Sequence, residues 1–221
     1  MAASLRSLPR KWLLSFNRPA WAAGQAFFVY FVLNLAGAGP LHTSPANYFN
    51  YLADAFWHGQ LHLRLAPPTL IDLVQYNGQL YLYWPPFPAL VMMPFVALFG
   101  VNVSDVLVTL LMGALNVGLA ALLLNLLHRR GVLLLEARKR AWLVIFFAFG
   151  TVHMNLAPNG NVWFTSQVVG ISGVLAAYCA AVGLKGWRAY LLAGLGMAAA
   201  LATRYPLILA GVWPAWYLIK A

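Results

Sequence analysis

From Val106 to Leu127 the chain runs without a single charged side chain. About 20 such residues are what a helix needs to cross the hydrocarbon core of a bilayer. Trp21 to Gly39, Val162 to Gly183 and most of Tyr190 to Ile219 repeat the theme. Lipid offers backbone N–H and C=O groups no water, so runs of this kind fold as helices that satisfy themselves. Hydrophobic residues make up 62% of the 221 positions and charged ones 8%, about a third of the charged share of a soluble domain. The expected fold class is therefore all-α, a polytopic transmembrane helix bundle of about six or seven spans forming one domain.

A net charge of +10 raises the question of nucleic acid, and the placement of the charges answers it. Arg6, Arg10, Lys11 and Arg18 precede the first apolar run. Arg129, Arg130, Arg138, Lys139 and Arg140 separate two others, and Lys185 and Arg188 separate a further pair. Cations between spans follow the positive-inside pattern. No aromatic-interleaved basic surface of the kind that binds nucleic acid is present, so nucleic acid is not expected as a partner and membrane lipids are. Residues 1–20 are expected in the cytoplasm, 21–39 as a retained first span, 40–86 as an external loop carrying short interfacial helices, and 87–221 as the remaining spans. The protein is expected to be integral and multi-pass, in a bacterial cytoplasmic membrane.

Phe87 to Phe99 is apolar but short, with Pro86, Pro88 and Pro94 around it, so it reads as a short span or a half-inserted segment. If both it and Val106 to Leu127 crossed, Arg129 and Arg130 would land outside against the charge rule; one crossing puts them inside. Ala141 to Leu156 and Val162 to Gly183 read as antiparallel spans joined by the APNGN turn. Thr203, Arg204, Tyr205 and Pro206 interrupt the last apolar stretch at the end opposite Arg188, where the external loop also lies. The single cysteine, Cys179, allows no disulfide within the chain.

Within the loop, Asn47, Asn50, Asp54 and His58 recur at spacings of three and four, a polar stripe on an amphipathic helix. Ser44 reads as its N-cap, Pro45 as its first helical residue and Gly59 as its stop. One reading has the stripe line a cavity, with Asn47, Asn50 and His58 as polar walls and Asp54 as an acid–base group; the other has it face water. Asp72 is a second external carboxylate, suited to catalysis or to bonding local backbone. His42, His58 and His62 have no recognised ligand spacing, so no metal is expected, and no cofactor motif is visible. His153 and Gln167 fall near the outer ends of adjacent spans, where polar groups are functional candidates. Arg204 has the strongest individual case, because an interfacial arginine needs an anion and its fork suits phosphate.

The runs SPANYFNYLADAFWHGQLHL and NGQLYLYWPPFPALVMMPFVALFG, followed by GTVHMNLAPNGNVWFTSQVV and LATRYPLILA, resemble the first external loop and later helices of GT-C-type membrane glycosyltransferases. That class includes protein O-mannosyltransferases and aminoarabinose transferases. The resemblance covers most of the chain from Trp21 onward. It implies inverting transfer of a sugar from a polyprenyl-phosphate carrier to an acceptor on the external face. The class opens its loop with an acidic pair a few residues before a Tyr; matched on Tyr48, that pair falls on Ser44 and Pro45, so the base is missing. A basic residue often precedes the prolines matching Pro85 and Pro86, and here it is Trp84. Thr203 and Arg204 match the pair associated with the carrier phosphate. Three functions follow as expectations. The chain is a catalytically degenerate relative serving as accessory subunit of a larger membrane complex. Alternatively it is an active transferase using Asp54 or Asp72 as base with Arg204 on the phosphate, or it binds a lipid or pigment without chemistry.

Overall fold

The computed structural model describes residues 11–37 and 39–220; Arg6 and Arg10 lie outside them. The chain is mostly helical. Pro19–Leu35 forms α1, entered through Pro19 in its first turn, where a missing N–H is harmless. After a loop come α2 (Tyr48–Trp57), strands β1 (Leu73–Tyr76) and β2 (Gln79–Leu82), and α3 (Phe87–Phe99). Then follow α4 (Asp105–Arg129), α5 (Ala137–Phe149), a single turn at His153–Leu156, α6 (Val162–Gly183) and α7 (Trp187–Leu201). A 3-10 segment, Tyr205–Gly211, leads into α8 (Val212–Lys220).

Two helices, α4 with 25 residues and α6 with 22, are long and apolar enough to cross a membrane. Both have legible ends. Ser104 caps α4 by accepting from the Leu107 N–H at 2.9 Å, Asp105 sits in its first turn and His128 and Arg129 in its last, each matching the helix dipole. Asn161 caps α6 from a left-handed φ of 129°. The helices α1, α3 and α7 are apolar but shorter. At 13 residues, α3 is only about 20 Å long, less than the roughly 30 Å of a hydrocarbon core.

Hydrogen bonds fix how the helices run. Asn125 of α4 donates to Asn17 O before α1, and Ser104 donates to Pro40 O and His42 O after it, so α4 is antiparallel to α1. Arg130 donates to the carbonyls of Val182 and Gly183, which sets the end of α6 beside the end of α4. At the other end Val162 N–H bonds Ala46 O, and Phe87 N–H bonds Ala202 O at 2.9 Å. One end of the bundle therefore gathers Arg18, Arg129, Arg130, Arg138, Lys139, Arg140, Lys185 and Arg188. The opposite end carries Asp54, Asp72 and Asp105, with Arg64 and Arg204.

Small side chains line several helix contacts, and many large ones face outward. Ala22, Ala26, Ala114, Ala121, Gly173, Ala177 and Ala200 are buried, whereas Trp21, Phe28, Trp142, Phe146, Leu191 and Leu195 are exposed. On α6 and α7, Gly173 and Ala177 meet Gly196 and Ala200 so closely that a Cβ at Gly173 would lie 2.7 Å from Gly196 O. Small residues four apart on both partners allow that approach.

The loop differs from expectation in two ways. Instead of several short helices it carries one helix and a hairpin, with Leu73 paired to Leu82 and Tyr76 to Gln79. Asn77 and Gly78, at φ 48° and 75°, form the left-handed pair of a tight turn. Moreover, α2 starts at Tyr48 rather than at Pro45. Ser44 is not its cap: both its N–H and its hydroxyl donate to Asp105. The loop is not loose, since α2, the hairpin and α3 share a core through Phe49, Leu52, Leu63, Met92 and Val96.

Candidate functional site

The predicted polar stripe on α2 divides in the folded chain. Asn50 is fully buried and donates to Val101 O and Val103 O at 2.9 and 2.8 Å; Asn47, also buried, points at Val101 O. These amides tie α2 to the turn between α3 and α4. Two amides on successive turns of one helix answer a stretch of turn carbonyls that has no ladder partner.

Asp54 and His58 face outward into a cluster that the sequence did not signal. Arg64 Nη1 lies 3.3 Å from Asp54 Oδ2 and over the His58 ring, 2.7 Å from Nδ1 and 2.8 Å from Nε2. His58 Nδ1 bonds Asp54 O at 2.8 Å. A carbonyl only accepts, so the ring proton on that side sits on Nδ1, and the guanidinium lies over the ring face. Asp54 is thereby paired with a cation.

Asp72 and Arg204 do converge on one region. Tyr83, just past β2, donates to Asp72 Oδ1 at 2.9 Å. Asp72 is buried and its Oδ2 has no partner. The hydrogen bond to this carboxylate holds the Tyr83 phenol above its usual range. Tyr83 stacks on Trp84 with ring centroids 5.8 Å apart, and the Arg204 guanidinium lies 5.7 Å from the Trp84 ring centre. A cleft of ≈ 200 Å³ opens between them, bounded by Tyr83, Trp84, Pro85, Arg204 and Tyr205.

Two features build this cleft. The hairpin delivers Tyr83 and Trp84 at its exit, and the Phe87 to Ala202 backbone bond pins that exit to the end of α7. Thr203, paired with Arg204 by the resemblance, is fully buried and its hydroxyl donates to Ala199 O at 2.7 Å. Its one proton is committed, so Arg204 is the group with donors to offer. The ion pairs among the described residues all involve Asp54, and Arg204 has only the aromatic face of Trp84 beside it. Arginine in that setting presents a planar fork to an incoming carboxylate or phosphate.

Sequence reading missed Asp105, Tyr83 and Arg64. Asp105 accepts from Ser44 N–H at 2.8 Å and from Ser44 Oγ at 2.5 Å and is 3% exposed. The position aligned with an acidic residue in GT-C transferases is thus a serine that binds a carboxylate from another element. His153, singled out earlier, is buried in a network instead: Tyr30 donates to Ala148 O and accepts from His153 Nδ1 at 3.0 Å. Gln167 donates within its own helix to Trp163 O.

No family model matches the chain, and no curated protein or solved structure is similar to it. The resemblance to GT-C transferases rests on the motifs quoted above.

Proposed function

We propose that this chain is a multi-pass integral membrane protein of GT-C-like architecture that has lost sugar transfer and serves as an accessory subunit of a larger membrane complex. Embedding is supported by the large apolar exterior, the small-residue helix packing and the gathering of cations at one end, which orients that end to the cytoplasm. With α1, α4, α5 together with the turn at His153–Leu156, α6 and α7 crossing and α3 not, Arg129 and Arg130 share the cytoplasmic side with Arg18.

One observation carries the loss of activity: among the described residues no carboxylate bounds the cleft at Arg204. Asp54 pairs with Arg64, Asp105 holds Ser44, and Asp72 lies beneath Tyr83. Hydroxyl attack gains typically 10²–10⁴-fold from a positioned base, and none of these faces the cleft at Arg204. The cleft itself retains its use. Its 3-10 wall continues from Tyr205 and Pro206 to Ile208 and Gly211, which line an apolar groove of ≈ 610 Å³ between α7 and α8. A lipid phosphate at Arg204 with its chain along that groove matches both chemistries, as a polyprenyl-phosphate carrier would.

The Tyr83 to Asp72 hydrogen bond favours a second reading, an active transferase in which Tyr83 relays an acceptor proton to Asp72. Purification in mild detergent separates the two. A defined stoichiometric complex that survives Asp54→Asn and Asp72→Asn is expected of the subunit. Turnover of a polyprenyl-phosphate sugar that disappears in Asp72→Asn would establish the enzyme.

A further inference from the structure

A cleft of ≈ 370 Å³ opens at the cation-rich end of the bundle, lined by Val132 of the α4–α5 connection and by Trp213, Trp216, Tyr217 and Lys220 of α8. Tyr190, two residues past Arg188, donates to Leu218 O at 2.9 Å, which fixes the end of α8 at that end of the fold. The four α8 residues fall at i, i+3, i+4 and i+7 and therefore share one helix face. On another face Pro214 and Leu218 are buried, Leu218 against Ala180, Ala189 and Ala193. Trp216, by contrast, is 52% exposed.

The walls of the cleft are fixed by contacts behind them. Tyr178, Trp213 and Tyr217 stack in a row with ring centroids 5.0 and 5.3 Å apart, and the Tyr178 hydroxyl donates to Ala210 O. Val132 is held by its N–H bond to Leu127 O at 3.0 Å. The Lys220 ammonium lies 4.6 Å from the centre of the Trp216 ring, so the cation rests on a side chain that itself lines the cleft.

The chemistry of this lining is one-sided. Lysine and indole only donate, and among the described residues no carboxylate pairs with Lys220. Of the chain's four acidic residues, Asp54, Asp72 and Asp105 lie at the opposite end, and Glu136 alone faces the cluster of cations. The local field therefore favours an anion. A fitting ligand brings negative charge and acceptor oxygens next to apolar surface for the indole faces. A phosphodiester beside ester-linked acyl chains has that order, at the depth where Trp and Tyr sit in a bilayer. A headgroup with an ammonium of its own would add a second positive charge beside Lys220. We propose that this cleft binds one anionic glycerophospholipid of the cytoplasmic leaflet, its phosphate at Lys220 and its glycerol esters against Trp213 and Trp216. The proposal rests on the membrane embedding given above and concerns the leaflet opposite the cleft at Arg204.

The test uses the whole chain in nanodiscs of equal phosphatidylglycerol and phosphatidylcholine, with native mass spectrometry counting retained lipid. Every chain compared carries Arg204→Ala, which silences the external cleft. Retention of one phosphatidylglycerol in preference to phosphatidylcholine is expected. Lys220→Gln should weaken it about five- to tenfold, as for one charge-assisted hydrogen bond in a screened setting, and Trp216→Leu by about threefold, whereas Lys220→Arg should keep it. Both positions are exposed, so the fold survives these changes. Lys185→Gln removes the same charge from an exposed position at the same end but outside the cleft, and should leave retention unchanged. Soluble glycerol 1-phosphate, which has the phosphate without the acyl chains, should not displace the lipid. The proposal is overturned if phosphatidylcholine is retained equally, if Lys220→Gln retains phosphatidylglycerol as the parent does, if Lys185→Gln weakens it as much, or if glycerol 1-phosphate displaces it. Alkaline carbonate extraction of the source membranes tests embedding by itself. A chain that resists extraction yet shows no preference for phosphatidylglycerol overturns this site alone, and a chain that is washed off overturns the embedding and the site together.

Discussion

Ser44 and Asp105, 61 residues apart in the chain, are joined through both oxygens of one buried carboxylate. The bond pair closes the loop end of the fold, because Ser44 leads into α2 while Asp105 opens α4. Asp105→Ala would orphan the Ser44 N–H and hydroxyl together. Hydrogen bonds to charged groups contribute about 1.5–3 kcal/mol each, so a loss of about 3 kcal/mol is expected in thermal unfolding in detergent, with Asp105→Asn milder because it keeps one acceptor.

The same pair predicts what happens if the acidic residue of the resembling family is restored. Ser44→Asp would place two carboxylates within hydrogen-bond reach, where both cannot stay ionised at low cost. The variant is expected to unfold well below the parent at neutral pH. The deficit should shrink in acid, where one of the pair takes up a proton. Restored sugar transfer together with full stability would contradict the structural role given to Asp105.

Much of the helical frame is legible in the sequence, for a physical reason: spans are long, and their apolar character needs no partner to be recognised. The limits of α3 coincide with the apolar run Phe87 to Phe99, and Gly59, at φ 69°, does end α2. The hairpin carries a sequence signal too, because Asn77-Gly78 between alternating runs marks a tight turn, but the interfacial reading of the loop put short helices there. Ser44 illustrates what is not legible. Serine before proline reads locally as a cap, and only the fold brings Asp105 to it. Arg64 and Tyr83 are similar, since their partners Asp54 and Asp72 are chosen by how α2 and the hairpin pack.

For Asp54 the sequence leaves an acid–base role and a water-facing one open, and the structure pairs it with Arg64. Its pair with Arg64 is partly exposed, the side chains being 17% and 36% accessible, and such pairs contribute about 0–1 kcal/mol. Asp54→Asn is therefore expected to shift the melting temperature little and to leave co-purifying subunits in place. Arg64→Ala should behave alike. A variant that abolished an activity without unfolding the protein would return Asp54 to the list of catalytic groups.

Arg204 should govern retention of anionic lipid. Removing its charge-assisted bonds to a phosphate is expected to weaken binding by about 10- to 100-fold, from about 1.5–3 kcal/mol. Arg204→Lys should recover only part, having a point charge in place of a fork. Trp84→Leu should cost less than Arg204→Ala, since it removes the aromatic face under the guanidinium and keeps the charge. Native mass spectrometry with a polyprenyl phosphate in the nanodisc reads all three, and equal lipid occupancy in Arg204→Ala would remove the phosphate site from this cleft.

The contact between α6 and α7 makes the sharpest distinction among glycines. Gly173 and Gly196 face each other, and a Cβ on either would come within 2.7–2.8 Å of opposing backbone. Backbone cannot swing aside as a side chain tip can, so the helices must separate. Gly194 lies two residues from Gly196, yet nothing stands within 4 Å of where its Cβ would be. Gly173→Ala and Gly196→Ala are thus expected to destabilise by about 1–3 kcal/mol, as overpacking does. Gly194→Ala should be neutral or slightly stabilising, because alanine is the better helix former by about 1 kcal/mol. Thermal unfolding of the three variants in one detergent decides the matter. Because α7 carries Arg204 at its end, the first two should also loosen lipid retention.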